Sequence, residues 1–206
     1  MRTAPFIGIS RHRIATDGRG IRTLIAFHGC PLSCRYCLNP SCLDLCTTLE
    51  LKNSEEIIRI LRKDALYFLA TKGGVTFGGG EPLLHADFIK EVMENCTEHM
   101  DVTLETSLNV PRENIEIIIP YIQELIVDIK DMNPQTYKAY TGRDNTLVKE
   151  NLSWLIQKGY ADKILCRVPL IPEYNDYTAQ DKSISELIRM GITRYHKFNY
   201  IIRDKA

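Results

Sequence analysis

The sequence predicts an α/β fold in which six parallel strands alternate with helices, and three observations support this prediction. The chain has 206 residues, and its 44% hydrophobic and 25% charged residues match one ordinary globular domain. Apolar runs of strand length alternate with segments whose apolar residues recur at helical spacing. The alternation gives six strand–helix units, which form either an open doubly wound sheet or an incomplete barrel.

Each predicted strand is a run of aliphatic, β-branched or aromatic residues bounded by glycine or polar residues. The first strand ends at His28 and Gly29, and the second runs into three glycines. The fourth is a nearly continuous apolar run, as expected for a strand buried on both faces of a parallel sheet. In order, the predicted strands cover residues 23–27, 74–77, 102–106, 125–129, 164–168 and 195–202.

Each predicted helix combines helical spacing of apolar residues with a start or stop signal. Asn53 followed by Glu56 is an N-cap signature for the first helix. Pro120 must end or kink the third helix, while Gly159 and Gly191 stop the last two. In order, the predicted helices cover 53 to about 68, the region around 88–93, 114–121, 147–158 and 183–190. No linker interrupts the pattern, so residues 1–206 are predicted to form a single domain.

Charge and hydropathy exclude several classes of partner. Twenty-six Lys and Arg residues balance twenty-six Asp and Glu residues, so a large basic footprint for nucleic acid is not supported. No apolar run reaches the roughly 18 residues of a transmembrane helix, and the first ten residues lack the apolar stretch of a signal peptide. We therefore expect a cytoplasmic monomer with no membrane partner. Seven cysteines in such a protein favour metal or redox chemistry over disulfides.

The most specific motif is a group of three cysteines directly after the first predicted strand. Three and then two residues separate Cys30, Cys34 and Cys37. Thiolates at this spacing bind an iron–sulfur cluster or zinc, and three protein ligands leave one metal position open for a substrate or cofactor. The alternative is a structural zinc site completed by Cys42 or Cys46, which would require a closed tetrahedral arrangement.

The cysteine motif and several later segments resemble those of radical S-adenosylmethionine (SAM) enzymes. The cysteine spacing, with the aromatic Tyr36 before the third cysteine, is the signature of that superfamily. The further segments resemble the signature of the activating enzymes of glycyl radical enzymes. Those segments are residues 17–22, 27, 29–32, 37–40, 74–77, 79–82, 128–130, 140–142, 167–172 and 175–176.

This resemblance implies a partial (βα)6 TIM-like barrel of parallel strands with outer helices. It implies that SAM chelates the open iron of a [4Fe–4S] cluster held by the three cysteines, and that an electron from the cluster cleaves SAM to a 5'-deoxyadenosyl radical. That radical abstracts the α-hydrogen of a glycine in a partner glycyl radical enzyme. A flavodoxin or ferredoxin is the expected electron donor. The alternatives are a radical SAM enzyme acting on a small molecule or peptide, like 7-carboxy-7-deazaguanine synthase, and a non-catalytic iron–sulfur or zinc module.

The resemblance also implies which residues hold the methionine part of the cofactor. The glycine motif, Gly79-Gly80-Glu81, follows a strand and would receive the methionine ammonium, because residues without Cβ let the backbone approach a ligand. Lys130 and Arg167 suit the methionine carboxylate and the ribose.

Five further residues complete the implied site. Tyr36 would lie near the adenine and use its backbone, and Asn39 is another contact candidate. Glu105, Thr106 and Asp128 end neighbouring predicted strands and would coordinate a monovalent cation beside the methionine carboxylate.

The remaining cysteines and the histidines have no assigned chemistry. Cys96 and Cys166 are expected to be small buried hydrophobic residues. Cys42 and Cys46 are either structural thiols or part of an auxiliary site, since two cysteines cannot supply the four ligands of a further cluster. The five histidines share no metal spacing and are expected to be structural or surface residues.

Overall fold

The computed structural model describes residues 1–14, 16–44 and 49–200. These residues contain eight strands, six α-helices and three short 3-10 helices. The strands are β1 (Thr3–Arg13), β2 (Arg22–Phe27), β3 (Glu50–Asn53), β4 (Gly74–Gly79), β5 (Asp101–Thr106), β6 (Glu124–Asp128), β7 (Ile164–Leu170) and β8 (Tyr195–Asn199). The α-helices are α1 (Ser54–Thr71), α2 (Ala86–Asn95), α3 (Arg112–Ile118), α4 (Pro134–Thr141), α5 (Thr146–Gln157) and α6 (Tyr177–Met190). The 3-10 helices are Pro40–Leu43, Pro82–His85 and Ala161–Lys163.

The described residues fall into two compact units. The first unit comprises Met1–Cys30, Asn39–Thr106 and Pro111–Leu125. The second comprises Pro31–Leu38, Ser107–Val110 and the described part of Ile126–Ala206. The division passes through the cysteine motif and through β6. The prediction that residues 1–206 form a single domain stays a prediction.

The first unit contains a mixed sheet with the strand order β3-β1-β2-β4-β5. β2, β4 and β5 are parallel, with Arg22 opposite Gly74 and Gly74 opposite Asp101 at their first residues. β1 runs antiparallel to both β2 and β3. The carboxyl ends of the three parallel strands therefore meet at one edge, where the loops after β2 and β4 carry the cysteine and glycine motifs.

The sequence pattern does not predict the two antiparallel strands. β1 ends in the polar run Arg11, His12 and Arg13, which breaks the apolar alternation of a strand. β3 has only four residues, and its first two are exposed. Strands of this kind depend on pairing with a neighbour more than on their own residues.

Helix α1 begins where its capping signature predicts. The Asn53 side chain accepts a hydrogen bond from the Glu56 amide at 3.0 Å, and the Glu56 carboxylate accepts one from the Asn53 amide at 2.8 Å. Ile57, Leu61 and Phe68 are buried at helical spacing. The confirmed cap and spacing show why this helix could be predicted from sequence alone.

The motif at residues 17–22 lies at the amino edge of the parallel strands, opposite the loops with the cysteines and glycines. Arg22 is fully buried and donates to Asp101 at 2.6 Å and to the Thr76 hydroxyl at 3.0 Å. Gly20 has a φ of +68°, and a Cβ there would lie 2.6 Å from the Thr71 carbonyl oxygen. The motif therefore anchors the starts of β2, β4 and β5.

The second unit contains β7 and β8, which are parallel, together with most of β6. The Ile129 amide, just beyond β6, donates to the carbonyl of Arg167 in β7 at 2.9 Å. Asp176 caps α6 by accepting from the Ala179 amide at 2.8 Å, so this helix begins six residues earlier than its apolar spacing predicts. The predicted α/β class, with parallel strands and outer helices, is confirmed.

Helix α4 was missed by the sequence prediction because its eight residues are mostly polar. Only Tyr137, Tyr140 and Thr141 are buried. Its boundaries do carry signals, since Asn133 accepts from two amides at the start and Gly142 adopts the left-handed conformation at the end. None of the described helices combines the length and hydropathy that crossing a membrane requires.

Candidate active site

Two loops at the carboxyl edge of the first unit's sheet are joined by backbone hydrogen bonds. The Gly80 amide donates to the Phe27 carbonyl at 2.9 Å, and the Glu81 amide donates to the Gly29 carbonyl at 2.7 Å. Phe27 and Gly29 flank the turn that leads from β2 into the cysteine motif. The glycine motif therefore fixes the backbone from which Cys30 extends.

The glycines are required by this close approach of the two backbones. A Cβ at Gly80 would lie 2.2 Å from the Gly29 carbonyl oxygen, and a Cβ at Gly79 would lie 2.8 Å from Ala26 Cα. A Cβ at Gly78 would meet its nearest atom at 3.4 Å, which is an ordinary contact. Packing thus explains why Gly79 and Gly80 lack side chains.

Asn39 also contacts the glycine motif. Its side-chain amide donates to the Gly79 carbonyl at 3.0 Å. Its own carbonyl accepts from the Cys42 amide at 3.0 Å, and the Cys42 carbonyl accepts from Gly29 at 2.8 Å. Asn39 therefore links the 3-10 helix Pro40–Leu43 to the loop after β4.

Glu81 and Thr106, both predicted site residues, contact each other in the buried part of this edge. The Thr106 hydroxyl donates to Glu81 Oε1 at 2.7 Å, and the Leu83 amide donates to the same oxygen at 3.3 Å. Glu81 is fully buried, and its carboxylate caps the 3-10 helix Pro82–His85. Glu105, next to Thr106, is only partly buried.

In the second unit, three predicted site residues form one ion-pair network. Asp128 accepts from Arg167 Nε at 2.7 Å and from Lys130 Nζ at 3.1 Å. All three side chains keep part of their surface accessible. Lys130 and Arg167 are cationic donors of the kind that binds a carboxylate or phosphate ligand.

The pKa values of this network follow from its mutual pairing. Burial alone would raise the pKa of Asp128, but Lys130 and Arg167 hold it below its usual value. Burial alone would lower the pKa of Lys130, but Asp128 raises it above its usual value. Asp128 and Lys130 therefore both stay charged near neutral pH.

The part of the cysteine motif in the second unit places Cys34 and Cys37 on either side of Tyr36. The Cys37 amide donates to the Cys34 carbonyl at 3.2 Å, which forms a tight turn. Burial raises the pKa of the Cys34 thiol, whereas the Lys130 ammonium acts in the opposite direction. Tyr36 donates its hydroxyl to Glu173 at 2.7 Å.

The carboxyl end of α4 holds this part of the motif, a role that sequence analysis did not assign. The sequence signal for this role was that residues 140–142 belong to the segments that carry the family resemblance. A helix end leaves backbone carbonyls without helical partners, and the loop amides satisfy two of them. The Ser33 amide donates to the Thr141 carbonyl at 2.9 Å, and the Arg35 amide donates to the Tyr140 carbonyl at 3.0 Å. In addition, Arg143 Nε, just after the helix, donates to the Pro31 carbonyl at 3.1 Å.

The remaining cysteines differ in their surroundings. Cys166 is fully buried in β7, as predicted. The prediction for Cys96 is wrong, because it lies partly exposed at the end of α2 and its thiol donates to Glu98 at 3.2 Å. Cys42 is buried in the 3-10 helix Pro40–Leu43, and Cys46 lies outside the described residues.

The donor set fits an iron–sulfur cluster. Across the described ranges, no three His, Cys, Asp or Glu side chains converge on a point where a single metal ion would bind. A [4Fe–4S] cluster spreads its cysteine ligands over separate irons, so its thiols need not converge in that way. Three thiols within eight consecutive residues are therefore compatible with the cluster.

Comparisons with known proteins agree with this chemistry. Residues 24–181 match the family model of the Radical SAM superfamily. The chain is 31% identical over 209 residues to the indoleacetate decarboxylase activating enzyme of Tractidigestivibacter scatoligenes, an alignment that covers 95% of this chain and 65% of that protein. It is 30% identical over 205 residues to the pyruvate formate-lyase-activating enzyme of Clostridium pasteurianum, covering 91% of this chain and 85% of that protein.

A solved structure supports the fold. The crystal structure of Streptococcus suis SuiB matches with a TM-score of 0.64 and 20% identity, covering 87% of this chain and 41% of that chain. This likeness shows the fold alone, and it agrees with the predicted class. The chain therefore belongs to the radical SAM superfamily of enzymes and is related within it to the activating enzymes of glycyl radical enzymes.

Proposed function

We propose that this chain is a radical SAM activase that installs a glycyl radical in a partner enzyme. The observation that carries the proposal is the cysteine motif of a radical SAM enzyme in a chain whose relatives activate other enzymes. Those relatives are activating enzymes for a decarboxylase and for a lyase, which favours a protein substrate over a small molecule. We further propose that the protein is a cytoplasmic monomer that receives electrons from a flavodoxin or ferredoxin.

In this proposal Cys30, Cys34 and Cys37 each bind one iron of a [4Fe–4S] cluster, and the fourth iron takes the methionine part of SAM. The glycine motif holds the start of the cysteine loop through two backbone hydrogen bonds. Lys130 supports the thiolate form of Cys34, since its charge opposes the effect of burial on the pKa of that thiol. The glycine motif therefore orients the loop, and Lys130 offsets part of the effect of burial on the Cys34 thiol.

The cofactor residues divide into charged and backbone contacts. Lys130 and Arg167 are cationic donors that both pair with Asp128, and they would bind the methionine carboxylate and the ribose. Gly79, Gly80 and Glu81 would contribute backbone groups, because the Glu81 carboxylate is taken by Thr106 and Leu83.

A monovalent cation is also part of the proposal. Its proposed ligands are the three residues that the sequence resemblance implies, Glu105, Thr106 and Asp128. Carboxylate and hydroxyl oxygens suit such a cation. Asp128 already balances two side-chain cations, so we expect it to be the weakest of the three ligands.

The proposed reaction balances with one external electron. When bound and reduced, the cluster would supply the one electron needed to cleave the C5'–S bond of SAM to methionine and a 5'-deoxyadenosyl radical. With a hydrogen atom taken from the glycine α-carbon, the products would be 5'-deoxyadenosine and a glycyl radical. The electron comes from the flavodoxin or ferredoxin, and no oxidant is required.

Substitution of Arg167 tests the cofactor contacts. We expect Arg167→Ala to weaken SAM binding by roughly 10- to 150-fold, because one charge-assisted hydrogen bond contributes about 1.5 to 3 kcal/mol. Titration of the cluster-loaded protein with SAM measures the change, and Arg189→Ala on the exposed face of α6 is the matched control. Equal affinity in Arg167→Ala and wild type would assign Arg167 a structural role only.

The substrate class is tested with the partner itself. The reduced protein, SAM and a glycyl radical enzyme encoded beside it are mixed under anoxic conditions. We expect an EPR doublet from a glycyl radical together with an equivalent amount of 5'-deoxyadenosine. Formation of 5'-deoxyadenosine without a protein radical would contradict the activase function and favour a small molecule or peptide as the substrate.

A further inference from the structure

Tyr36 is held by hydrogen bonds on its backbone and on its side chain, all within the second unit. The Tyr200 hydroxyl donates to the Tyr36 carbonyl. The Tyr140 ring lies beside that of Tyr36, and its phenol is close to the Tyr200 phenol. At the other end of the residue, the Tyr36 hydroxyl donates to Glu173. Tyr36 is thus fixed at both ends.

Aromatic packing restricts Tyr36 further. Its ring centroid lies 5.9 Å from that of Tyr174, 6.2 Å from that of Tyr140 and 6.4 Å from that of Tyr200. Tyr140 and Tyr174 are themselves in edge contact at 5.1 Å. These separations are typical of attractive aromatic pairs. Since Tyr140 is almost fully buried, the rings form a packed support rather than a surface patch.

The two phenols keep their hydrogen atoms under physiological conditions. Burial raises the pKa of Tyr140 and of Tyr200 above the usual value. Both hydroxyls therefore remain donors at neutral pH, and the hydrogen bond from Tyr200 to the Tyr36 carbonyl persists. The carboxyl end of α4 adds to this order, because the Tyr140 carbonyl accepts from the neighbouring Arg35 amide.

We propose that Tyr140 and Tyr200 are positioning residues for SAM, which fix the peptide groups of Tyr36 in the orientation that contacts the adenine. This inference rests on the proposed function and on the family resemblance, which implies that the Tyr36 backbone lies near that ring. The two phenols touch Tyr36 and act through it. A backbone that is ordered before binding lowers the entropic cost of binding the ligand.

The inference separates the two ends of the cofactor. SAM carries an adenine, whereas free L-methionine carries only the amino and carboxylate groups that are assigned to the open iron, to the glycine motif and to the cations Lys130 and Arg167. Loss of the Tyr36 support should therefore weaken the binding of SAM and leave the binding of L-methionine unchanged. A general loss of structure in the cysteine loop would weaken both ligands alike.

The experiment uses the reconstituted, reduced protein and follows its cluster EPR signal during titration with SAM and, separately, with L-methionine. The variants are Tyr200→Phe, Tyr140→Phe and the double variant, each of which removes only hydroxyl groups. Tyr137→Phe is the matched control, because Tyr137 lies on the same helix and its hydroxyl accepts from Asn109 at 3.1 Å, away from the cysteine loop. Iron content confirms that every variant carries the cluster.

We expect Tyr200→Phe to bind SAM about 2- to 13-fold more weakly, the equivalent of one neutral hydrogen bond, and the double variant to bind it more weakly still. L-Methionine binding, iron content and the Tyr137→Phe control should match the wild type. Unchanged SAM affinity in the double variant would overturn the inference, as would an equal loss for both ligands. Failure of the wild type itself to bind SAM would instead contradict the proposed function, and this inference with it.

Discussion

Cys34→Ser protein, after reconstitution with iron and sulfide, is expected to lack the visible absorption of a [4Fe–4S] cluster and to form no 5'-deoxyadenosine. The same result is expected for Cys30→Ser and Cys37→Ser, since each removes one of three protein ligands. Loss of an outer hydrogen-bond partner already weakens metal binding by about 10- to 100-fold, so loss of a ligand has a larger effect.

Iron and sulfide analysis together with the absorption spectrum measures the loss. Cys96→Ser is the matched control, because this partly exposed thiol donates to Glu98 and lies outside the cysteine motif. It should retain the full cluster. A Cys34→Ser protein that cleaves SAM at the wild-type rate would show that the assignment of the cluster ligands is wrong.

Gly80→Ala is expected to destabilise the protein by about 3 kcal/mol or more, at or beyond the upper end of the effect of overpacking. The added Cβ would lie 2.2 Å from the Gly29 carbonyl oxygen, a backbone atom that cannot rotate away. Moving it would also break the 2.7 Å hydrogen bond from the Glu81 amide to that carbonyl. The backbone that leads into Cys30 would shift as well.

Gly78→Ala is the matched control two residues earlier, in β4. Its Cβ would make ordinary contacts from 3.4 Å outward, so we expect a neutral effect or a gain of up to about 1 kcal/mol from a less flexible unfolded chain. Urea unfolding of the cluster-free proteins compares the two variants. Equal stability would mean that the close approach of the loops after β2 and β4 does not restrict Gly80.

The parts of the fold that could be predicted are those determined by local sequence. β2, β4, β5, β6 and β7 are apolar runs, and α1 has a complete capping box. β1, β3 and α4 could not be predicted, because their residues are polar or few and neighbouring elements stabilise them. α6 shows an intermediate case, since its apolar residues are recognisable but its start depends on the Asp176 cap.

The candidate site also has parts that could be predicted from sequence and parts that could not. The three cysteines and the glycine motif are each continuous in sequence, so their spacing and their resemblance to the family motifs were enough to predict them. The pairing of Lys130 and Arg167 with Asp128 agrees with their predicted position at strand ends. The contact between Glu81 and Thr106 and the support of Tyr36 by Tyr140 and Tyr200 join residues far apart in the chain. Such contacts appear only once the fold is known.

The most direct test of radical SAM activity is product analysis of the wild-type protein alone. The protein is loaded with its cluster, reduced under anoxic conditions and incubated with SAM, after which methionine and 5'-deoxyadenosine are quantified. We expect both products in equal amounts, and neither without reductant. A fully loaded and reduced protein that leaves SAM intact would contradict the radical SAM activity and favour a non-catalytic iron–sulfur module.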